Sequence, residues 1–272
     1  MAKKCGGSRG LLSSSRGVVS NSSGAVASCT TGFPSFLPKE VEKIKDPYAR
    51  TLAQRMERLP VQIGSSESFI MSSCVKPQKQ SEINPVVLLH CFDRCAYPLL
   101  EEAGLEAWAV DVLGWGFSDL ERRPPCSAAS KRHHLYQFWK SYIRRPMILV
   151  GPSLGASVAI DFAVHHPVAV EKLVLINASV YAEGTGDLAK LPKFLAYAGV
   201  SLLKSIPLRL YANLLAFNGI SLSTTFDWTN RLRCELPCAI MRLIPDSGHL
   251  PHVENPTSVA KLIAGFARND RC

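Results

Sequence analysis

The chain has 272 residues, 47% hydrophobic and 19% charged, a composition typical of a globular protein with room for one large domain. The net charge of +9 could attract a polyanion, but five of the basic side chains lie within the first 39 residues, where no acidic residue occurs. The remaining 9 − 5 = +4 is a mild excess, and we therefore expect no nucleic-acid partner.

The nine cysteines are odd in number, are scattered along the chain and include no CxxC pair. This pattern excludes the disulfide framework of a small secreted domain and is typical of free thiols in a reducing compartment. Two pairs, Cys91/Cys95 and Cys234/Cys238, have a spacing that could suggest zinc, but free thiols are the favoured interpretation. We expect neither a metal nor a cofactor.

Residues 1–39 differ in composition from the rest of the chain. They contain nine serines, several glycines and no acid, and they lack an apolar run long enough for a secretory signal. Such sequence is typical of an organelle transit peptide, and a plain disordered tail is the alternative. We predict this targeting or disordered segment at 1–39 and one folded domain at 40–272, which begins with a charged helical run at 40–58.

The middle of the chain alternates between predicted strands and helices. A short strand pair is predicted at 61–64 and 68–75, and four continuous apolar runs follow it. Continuous rather than alternating hydrophobicity is typical of parallel strands that are buried on both faces. These runs lie at 86–90, 107–111, 147–150 and 172–176, and helical patterns lie at 130–143, 154–165 and 256–268. The alternation predicts a doubly wound α/β sheet with helices on both faces.

Residues 180–230 interrupt this alternation with Leu- and Ala-rich helical sequence, which predicts a cap inserted over one end of the sheet. The most apolar long stretch, 194–222, lies here, but Lys204, Pro207 and Arg209 interrupt it. Because a membrane span needs roughly 20 apolar residues, we predict no transmembrane segment.

A serine flanked by small residues lies between the predicted strand at 147–150 and the helix that follows. In the sequence Gly-Pro-Ser-Leu-Gly, at 151–155, a tight strand-to-helix turn would lift the Ser153 hydroxyl clear of the sheet edge. The amide of Leu154, at the start of the helix, would point to the same place and could stabilise an oxyanion. Ser153 is therefore the candidate nucleophile, and a plain Gly-rich turn is the alternative.

A serine nucleophile needs a base, and His249 is the best candidate. It follows the apolar run 239–244 through a Pro/Asp/Ser/Gly turn, which would place it at the same sheet edge as Ser153. His252 is the nearest rival, but it lies beyond the turn. The histidines of the helical patterns are expected on solvated faces, namely His133, His134, His165 and His166.

Three motifs together resemble the α/β-hydrolase superfamily. They are the serine turn at 151–155, the Asp-x-x-Gly-x-Gly-x-Ser turn at 111–118, and Gly248-His249 followed by Glu254 and Pro256. The resemblance covers roughly residues 60 to 268, and the chain is most similar to plastid-targeted plant members, which implies a chloroplast location. The serine at the elbow sets aside the epoxide-hydrolase and haloalkane-dehalogenase branches, which attack through a carboxylate.

The resemblance implies a Ser–His–acid triad and an oxyanion hole. Ser153 would be the nucleophile and His249 the base, and the backbone amides of Phe92 and Leu154 would bind the oxyanion. In the family, the acid follows the strand that precedes the histidine strand. The oxyanion loop of this chain begins His90-Cys91, whereas family members usually have His-Gly there.

The segment that carries the family's acid has no room in this chain. Only nine residues, 229–237, separate the cap from the final strand, whereas a strand–helix–strand unit takes about 30. We therefore expect that one strand and one helix are absent and that the final strand pairs with 172–176. The triad acid is unknown, and the weak substitutes are Asp227, Glu183, Asp187 and Asp246.

Two classes of function follow from these features. One is a serine hydrolase that acts on an ester or similar carbonyl substrate, or on the C–C bond of a diketone-like one, and is impaired by the loss of the acid. The other is a catalytically inactive hydrolase-fold binding protein or a truncated isoform. In both classes, the apolar cap predicts a small apolar or ester-containing ligand.

Overall fold

A six-stranded, mostly parallel sheet forms the centre of the protein, seen in a computed structural model that describes residues 32–63, 69–89, 96–118, 126–178, 239–248 and 250–268. The strands are β1 (Glu57–Gln62), β2 (Phe69–Val75), β3 (Val86–Leu89), β4 (Ala107–Val110), β5 (Met147–Pro152) and β6 (Val170–Ile176). Their order is β1-β2-β4-β3-β5-β6, and only the pairs β1–β2 and β2–β4 are antiparallel. The predicted α/β class and the predicted strand pair are confirmed.

Six α-helices accompany the sheet in the described part of the chain. They are α1 (Pro47–Gln54), α2 (Ala96–Glu102), α3 (Ala128–Phe138), α4 (Leu154–His165), α5 (Pro251–Glu254) and α6 (Pro256–Ala267). A π-helical turn, Trp139–Ile143, extends α3, and short 3-10 helices lie at Lys39–Lys43 and Pro167–Ala169. The helix predicted at 40–58 is only partly correct. The Asp46 side chain accepts from the Ala49 amide and so caps the start of α1, and β1 begins at Glu57.

The core is divided between the two faces of the sheet. Alternate residues of the parallel strands point to opposite faces, so Val87 and Leu89 pack with α3 and α4, whereas Val86 and Leu88 pack with α1, α2 and α6. All four residues of β3 have no exposed side-chain area. The continuous apolar runs therefore mark strands covered on both sides, as predicted.

The packed domain begins earlier than the predicted boundary at residue 40. The chain divides between Thr31 and Gly32, and Leu37 is already buried. The guanidinium of Arg58 lies 4.4 Å from the ring centre of Phe36, and that of Arg50 lies 4.7 Å from the ring centre of Phe33. Three apolar side chains in a Ser- and Gly-rich segment are too weak a pattern to reveal this packing from sequence.

The prediction that the final strand pairs with 172–176 is wrong. Residues 239–244 form no strand, and within the described residues β6 pairs only with β5. Ile240 and Leu243 are 58% and 75% exposed, so the apolar run is not covered on both faces as a parallel strand would be. The β6 edge is instead bound to α6, because the Lys172 ammonium donates to the carbonyl oxygens of Phe266 and Ala267 at 2.7 and 3.1 Å.

The remaining sequence predictions about this region cannot be compared with coordinates. The cap at 180–230 and the short connection at 229–237 lie outside the described residues. Among the helices that are described, none has the length and apolar character needed to cross a membrane.

Candidate active site

Ser153 occupies a strained turn between β5 and α4. Its φ is 47° and its ψ is −116°, a conformation that a residue with a Cβ rarely adopts. The strand before it is fully buried and the helix after it begins at the next residue, so the turn has no room to relax. This is the strained strand-to-helix turn that the sequence predicted, and we call it the elbow.

The glycines around Ser153 are required by close backbone contacts. A Cβ on Gly151 would lie 2.6 Å from the carbonyl oxygen of Gly155, and a Cβ on Gly155 would lie 3.2 Å from Cδ of Pro152. Any side chain at Gly151 would therefore push α4 away from β5. The Gly-x-Ser-x-Gly spacing is a packing requirement of this turn, and no special φ is needed at either glycine.

Hydrogen bonds fix the elbow to the carboxyl edge of the sheet, the edge at which β3, β4, β5 and β6 end. The Ser153 amide donates to the carbonyl oxygen of Ile176, the last residue of β6, at 2.9 Å. Leu154 is the first residue of α4, and the first amides of a helix have no acceptor within it and carry partial positive charge. The Leu154 amide is thus on the element that its predicted oxyanion role requires.

The Asp-x-x-Gly-x-Gly-x-Ser motif builds a second turn at this edge, directly after β4. The Asp111 carboxylate accepts from the Phe117 amide at 3.1 Å and from the Ser73 hydroxyl, and Ser118 Oγ accepts from the Ser73 amide at 2.9 Å. A Cβ on Gly116 would lie 1.9 Å from Asp111 Oδ2, so only glycine fits there. The motif is structural, since it ties this turn to β2.

A third turn, which we call the Gly248 turn (residues 245–248), precedes α5. Asp246 has a φ of 56° at its bend. The Asn177 side-chain amide donates to the Gly248 carbonyl oxygen at 2.9 Å. The Glu254 carboxylate accepts from the Gly248 amide at 2.5 Å and from the Leu250 amide at 3.2 Å. Asn177, directly after β6, and Glu254, in α5, therefore both hold the turn.

Comparisons with known proteins agree with this architecture. No family model matches the chain. The chain is 53% identical over 299 residues to "Alpha/beta hydrolase domain-containing protein VTE7" of Arabidopsis thaliana, and the match covers 87% of this chain and 91% of the relative. The chain belongs to the α/β-hydrolase family.

Two solved structures share the fold. A thermophilic esterase from Thermogutta terrifontis superimposes with a TM-score of 0.56 over 79% of this chain and 100% of its own, at 16% identity. A predicted CIB-like hydrolase from Thermoplasma acidophilum gives a TM-score of 0.50 over 79% of this chain and 98% of its own, at 12% identity. At these identities, the likeness concerns the hydrolase fold alone.

The hydrolase site predicted from sequence is described only in part. Ser153 and Leu154 lie together at the carboxyl edge, whereas His249 and Phe92 lie outside the described residues. Both chain neighbours of His249, Gly248 and Leu250, are bound by Glu254. The bond from the Asn177 side-chain amide to the Gly248 carbonyl oxygen connects the histidine-bearing sequence with the edge that carries Ser153.

The weak substitutes for the triad acid gain no support. Asp246 is exposed at the bend of the Gly248 turn, and Glu183, Asp187 and Asp227 lie outside the described residues. The rival base, His252, is only 1% exposed within the short helix α5. A base needs access to the hydroxyl that it deprotonates, and the side chain of His252 is almost fully buried.

The expectation that all helical histidines lie on solvated faces is wrong for His134. Its side chain is 1% exposed, and burial lowers its pKa to about 4. His133, one residue earlier, is exposed. His166 stacks on Tyr136 with ring centres 4.2 Å apart, and burial lowers its pKa as well. Both rings with lowered pKa are packing groups of the α3–α4 face.

The described residues include no cluster of three or more His, Cys, Asp or Glu side chains that could hold a metal. Cys74 is buried in the sheet, and burial raises the pKa of its thiol to about 12, so it is unreactive as a nucleophile. Ser153, with its strained backbone at the start of α4, remains the candidate reactive residue.

Sequence reasoning missed the roles of Asn177 and Glu254. Asn177 is not among the residues predicted for the site, and Glu254 is predicted only as part of the motif that contains His249. A polar residue directly after a buried strand was the available signal, since such residues lie at the edge where ligands bind in open α/β sheets.

Proposed function

We propose that the protein is a serine hydrolase that acts on an ester or similar carbonyl substrate and that its activity is weak because it lacks a recognisable triad acid. The observation that carries the proposal is the backbone of Ser153. A φ of 47° between a buried strand and a helix is costly, and strain of this kind concentrates at functional sites. A plain turn would not need it.

The proposed reaction uses four groups of this chain. The Ser153 hydroxyl attacks the substrate carbonyl while His249 accepts its proton, and the amides of Phe92 and Leu154 donate to the oxyanion of the tetrahedral intermediate. His249 then returns the proton to the departing alcohol, which leaves an acyl group on Ser153. A water molecule then attacks the acyl carbon while His249 accepts its proton, and His249 returns that proton to the departing Ser153 oxygen, which releases the carboxylic acid and restores the Ser153 hydroxyl.

The absence of the acid-bearing segment is supported by the match to the plant relative. The alignment has 299 positions, yet 87% of 272 residues is about 237, so about 60 positions fall where this chain has no residue. A strand–helix unit needs about 30 residues, which is well within that number. Loss of the acid from a serine triad costs about 10⁴-fold in rate, or about 5.5 kcal/mol of barrier.

Hydrolysis of activated esters tests the proposal. The full chain should release nitrophenol from nitrophenyl acetate and butyrate faster than buffer does, and Ser153→Ala should reduce the rate at least about tenfold. Ser157→Ala is the matched control, because Ser157 is an exposed serine one turn further along α4. Equal rates for wild type and Ser153→Ala would contradict the proposal.

A second candidate function is a catalytically inactive binding protein or truncated isoform. The observation that favours it is the lack of a strand at 239–244, because the segment that leads to His249 then has no ladder to fix it. Such a protein would bind a small apolar or ester-containing molecule without turnover. Binding of a non-hydrolysable ester analogue by both wild type and Ser153→Ala, with no turnover by either, would favour this candidate.

We also propose that the protein is imported into the chloroplast and needs no metal or cofactor there. The acid-free, Ser-rich sequence of the first 39 residues and the plant origin of the 53% identical relative support this location. Fusion of residues 1–31 to a fluorescent protein should direct it to the chloroplast. Cytosolic fluorescence from that fusion would contradict the location.

A further inference from the structure

The Gly248 turn has an unusual kind of support for a segment next to an active site. The residues before it, 239–244, form no strand, so backbone pairing with β6 does not fix its position. Ile244 packs against the core on the α6 side, and beyond it the chain reverses at Asp246. What ties the turn to the sheet is therefore a side chain.

That side chain belongs to Asn177, the first residue after β6. Its φ is 41°, in the left-handed region that asparagine tolerates better than other residues with a Cβ. The chain thus turns sharply at the end of β6, and the side-chain amide donates to the Gly248 carbonyl oxygen at 2.9 Å. Because a carbonyl oxygen can only accept, the group that faces it must be the NH₂ of the amide.

The same end of β6 also holds the elbow. The Ile176 carbonyl oxygen accepts from the Ser153 amide at 2.9 Å, and Asn177 is the next residue along the chain. Two consecutive residues therefore bind the serine turn and the Gly248 turn. This connection is short, because it runs from Ser153 through one peptide unit and one side chain to the residue that precedes His249.

Glu254 completes the support from the other side. Its two carboxylate oxygens accept from Gly248 and Leu250, the residues on either side of His249. A Cβ on Gly248 would lie 3.2 Å from both oxygens, so the turn and the carboxylate are in close contact. Glu254 fixes the turn to α5, and among the described residues Asn177 is the one whose side chain binds it to the sheet edge that carries Ser153.

We infer that Asn177 is a positioning residue: its amide fixes the Gly248 turn to the end of β6 and so sets the distance between the base and Ser153. The inference rests on the proposed function, in which His249 is that base. Asn177 acts through Gly248 and touches no reacting atom. In a chain without a strand at 239–244, this single hydrogen bond performs the alignment that a sheet ladder would perform.

The requirement is for a donor at this position, and a carboxylate would not meet it. In Asn177→Asp, an oxygen would replace the NH₂ that faces the Gly248 carbonyl oxygen, and the two acceptors would repel each other. The inference therefore predicts that Asn177→Asp behaves like Asn177→Ala, although it introduces an acid at the carboxyl edge.

The matched control is Asn84→Ala. The Asn84 side-chain amide donates to the Glu171 carboxylate at 2.6 Å, and Glu171 lies near the amino end of β6. Each substitution removes an asparagine side chain and one hydrogen bond. In Asn177→Ala the lost bond lies at the end of β6, and in Asn84→Ala it lies near the start of β6. Only Asn177 lies at the carboxyl edge, so only its replacement should affect the Gly248 turn.

The test combines amide hydrogen exchange with labelling of Ser153 in the full chain. Exchange of peptides that cover Gly248 and Leu250 should become about tenfold faster in Asn177→Ala, the effect of one lost hydrogen bond, and should stay unchanged in Asn84→Ala. The rate of labelling by a fluorophosphonate should fall about tenfold in Asn177→Ala and Asn177→Asp. Its rise with pH through the histidine range should become shallower in both, which a general loss of stability would not cause.

Each outcome decides something different. Unchanged exchange in Asn177→Ala, or faster labelling of Asn177→Asp than of wild type, would overturn the inference. Faster exchange with unchanged labelling and pH profile would also overturn it, because Asn177 would then bind the Gly248 turn without affecting the reactivity of Ser153. If wild type and Ser153→Ala both remain unlabelled, the proposed function fails and the positioning role with it, while the exchange rates still show whether Asn177 binds the turn.

Discussion

The elbow at Ser153 and the Gly248 turn lie at the same edge of the sheet but are held in different ways. The elbow follows β5, which has a strand on each side and no exposed residue. The Gly248 turn follows residues that form no strand, and it is bound through the side chains of Asn177 and Glu254. One turn is fixed by a backbone ladder and core packing, and the other by a few hydrogen bonds.

The two turns should respond differently to substitution. Strain at the elbow is tolerated because the buried strand and helix around it leave no alternative packing. The Gly248 turn has no such surroundings, and each hydrogen bond that holds it is worth about 1 kcal/mol. Larger residues at the elbow glycines should therefore damage the whole fold, whereas substitutions that remove the support of the Gly248 turn should change activity with little change in stability.

The largest expected effect concerns the elbow itself. Gly151→Val should lower the free energy of unfolding by about 4 kcal/mol or more, because its Cβ would lie 2.6 Å from a backbone oxygen of α4. Denaturant unfolding of the purified chain measures this change. Gly32→Val is the control, since no atom lies within 4 Å of a Cβ there. Equal stability of the two variants would show that the elbow is not held by close packing.

The next effect concerns His134, the buried histidine of α3. Burial lowers the pKa of His134 to about 4, so the unfolded chain, in which histidine titrates near 6.5, binds the proton more readily. The contribution of neutral His134 is thus present above pH 6.5 and lost as the pH falls toward 4, by up to about 3 kcal/mol.

The measurement is the difference in unfolding free energy between His134→Leu and wild type at pH 7 and pH 4. That difference should move in favour of His134→Leu on acidification. His133→Leu, an exposed histidine on the same helix, should show no such movement. A parallel decline of His134→Leu and wild type would mean that the α3–α4 face is open to solvent.

A smaller effect concerns the amino-terminal residues that lie next to β1. Leu37 is buried, its neighbour Phe36 lies on Arg58, and Arg58 donates to the Phe117 carbonyl oxygen at 2.7 Å. Leu37→Ala should lower the unfolding free energy by about 2 kcal/mol. Thermal unfolding measures this change. Ser35→Ala, at an exposed position nearby, is the control and should be within about 0.5 kcal/mol of wild type. Equal melting of the two variants would place the start of the domain after these residues.

The smallest change in stability is expected at the Gly248 turn. Glu254→Gln weakens the two bonds to Gly248 and Leu250, and because Glu254 is exposed the unfolding free energy should change by less than about 0.5 kcal/mol. The rate of ester hydrolysis should nevertheless fall about fivefold. Glu57→Gln, which weakens an exposed ion pair with Lys76, is the control. Loss of stability without loss of rate would reverse the comparison between the two turns.

The elbow was predictable from sequence because its causes are local. A buried strand, two small residues and a helix start lie within a few residues of one another, and the steric demand at Gly151 is met only by glycine. The four parallel strands were equally predictable, since burial on both faces produces continuous apolar runs. The structure confirms each of these elements.

The Gly248 turn itself was predicted from sequence, but the way it is held was not, because the groups that hold it include one that is distant in sequence. The run 239–244 has the composition of a strand, but whether it forms one depends on a pairing partner and on cover for both faces. Asn177 lies 71 residues from Gly248, and no local pattern links them. His134 was assigned to a solvated face for a related reason, as burial on α3 depends on what packs against it.

The central claim is that the elbow displays Ser153 as an activated nucleophile, and labelling by a fluorophosphonate tests it most directly. The full chain, Ser153→Ala and the control Ser157→Ala should be treated side by side and the labelled peptide identified by mass spectrometry. We expect slow labelling of wild type and of Ser157→Ala at Ser153, and none of Ser153→Ala. Equal labelling of all three, or no labelling of any, would contradict the claim.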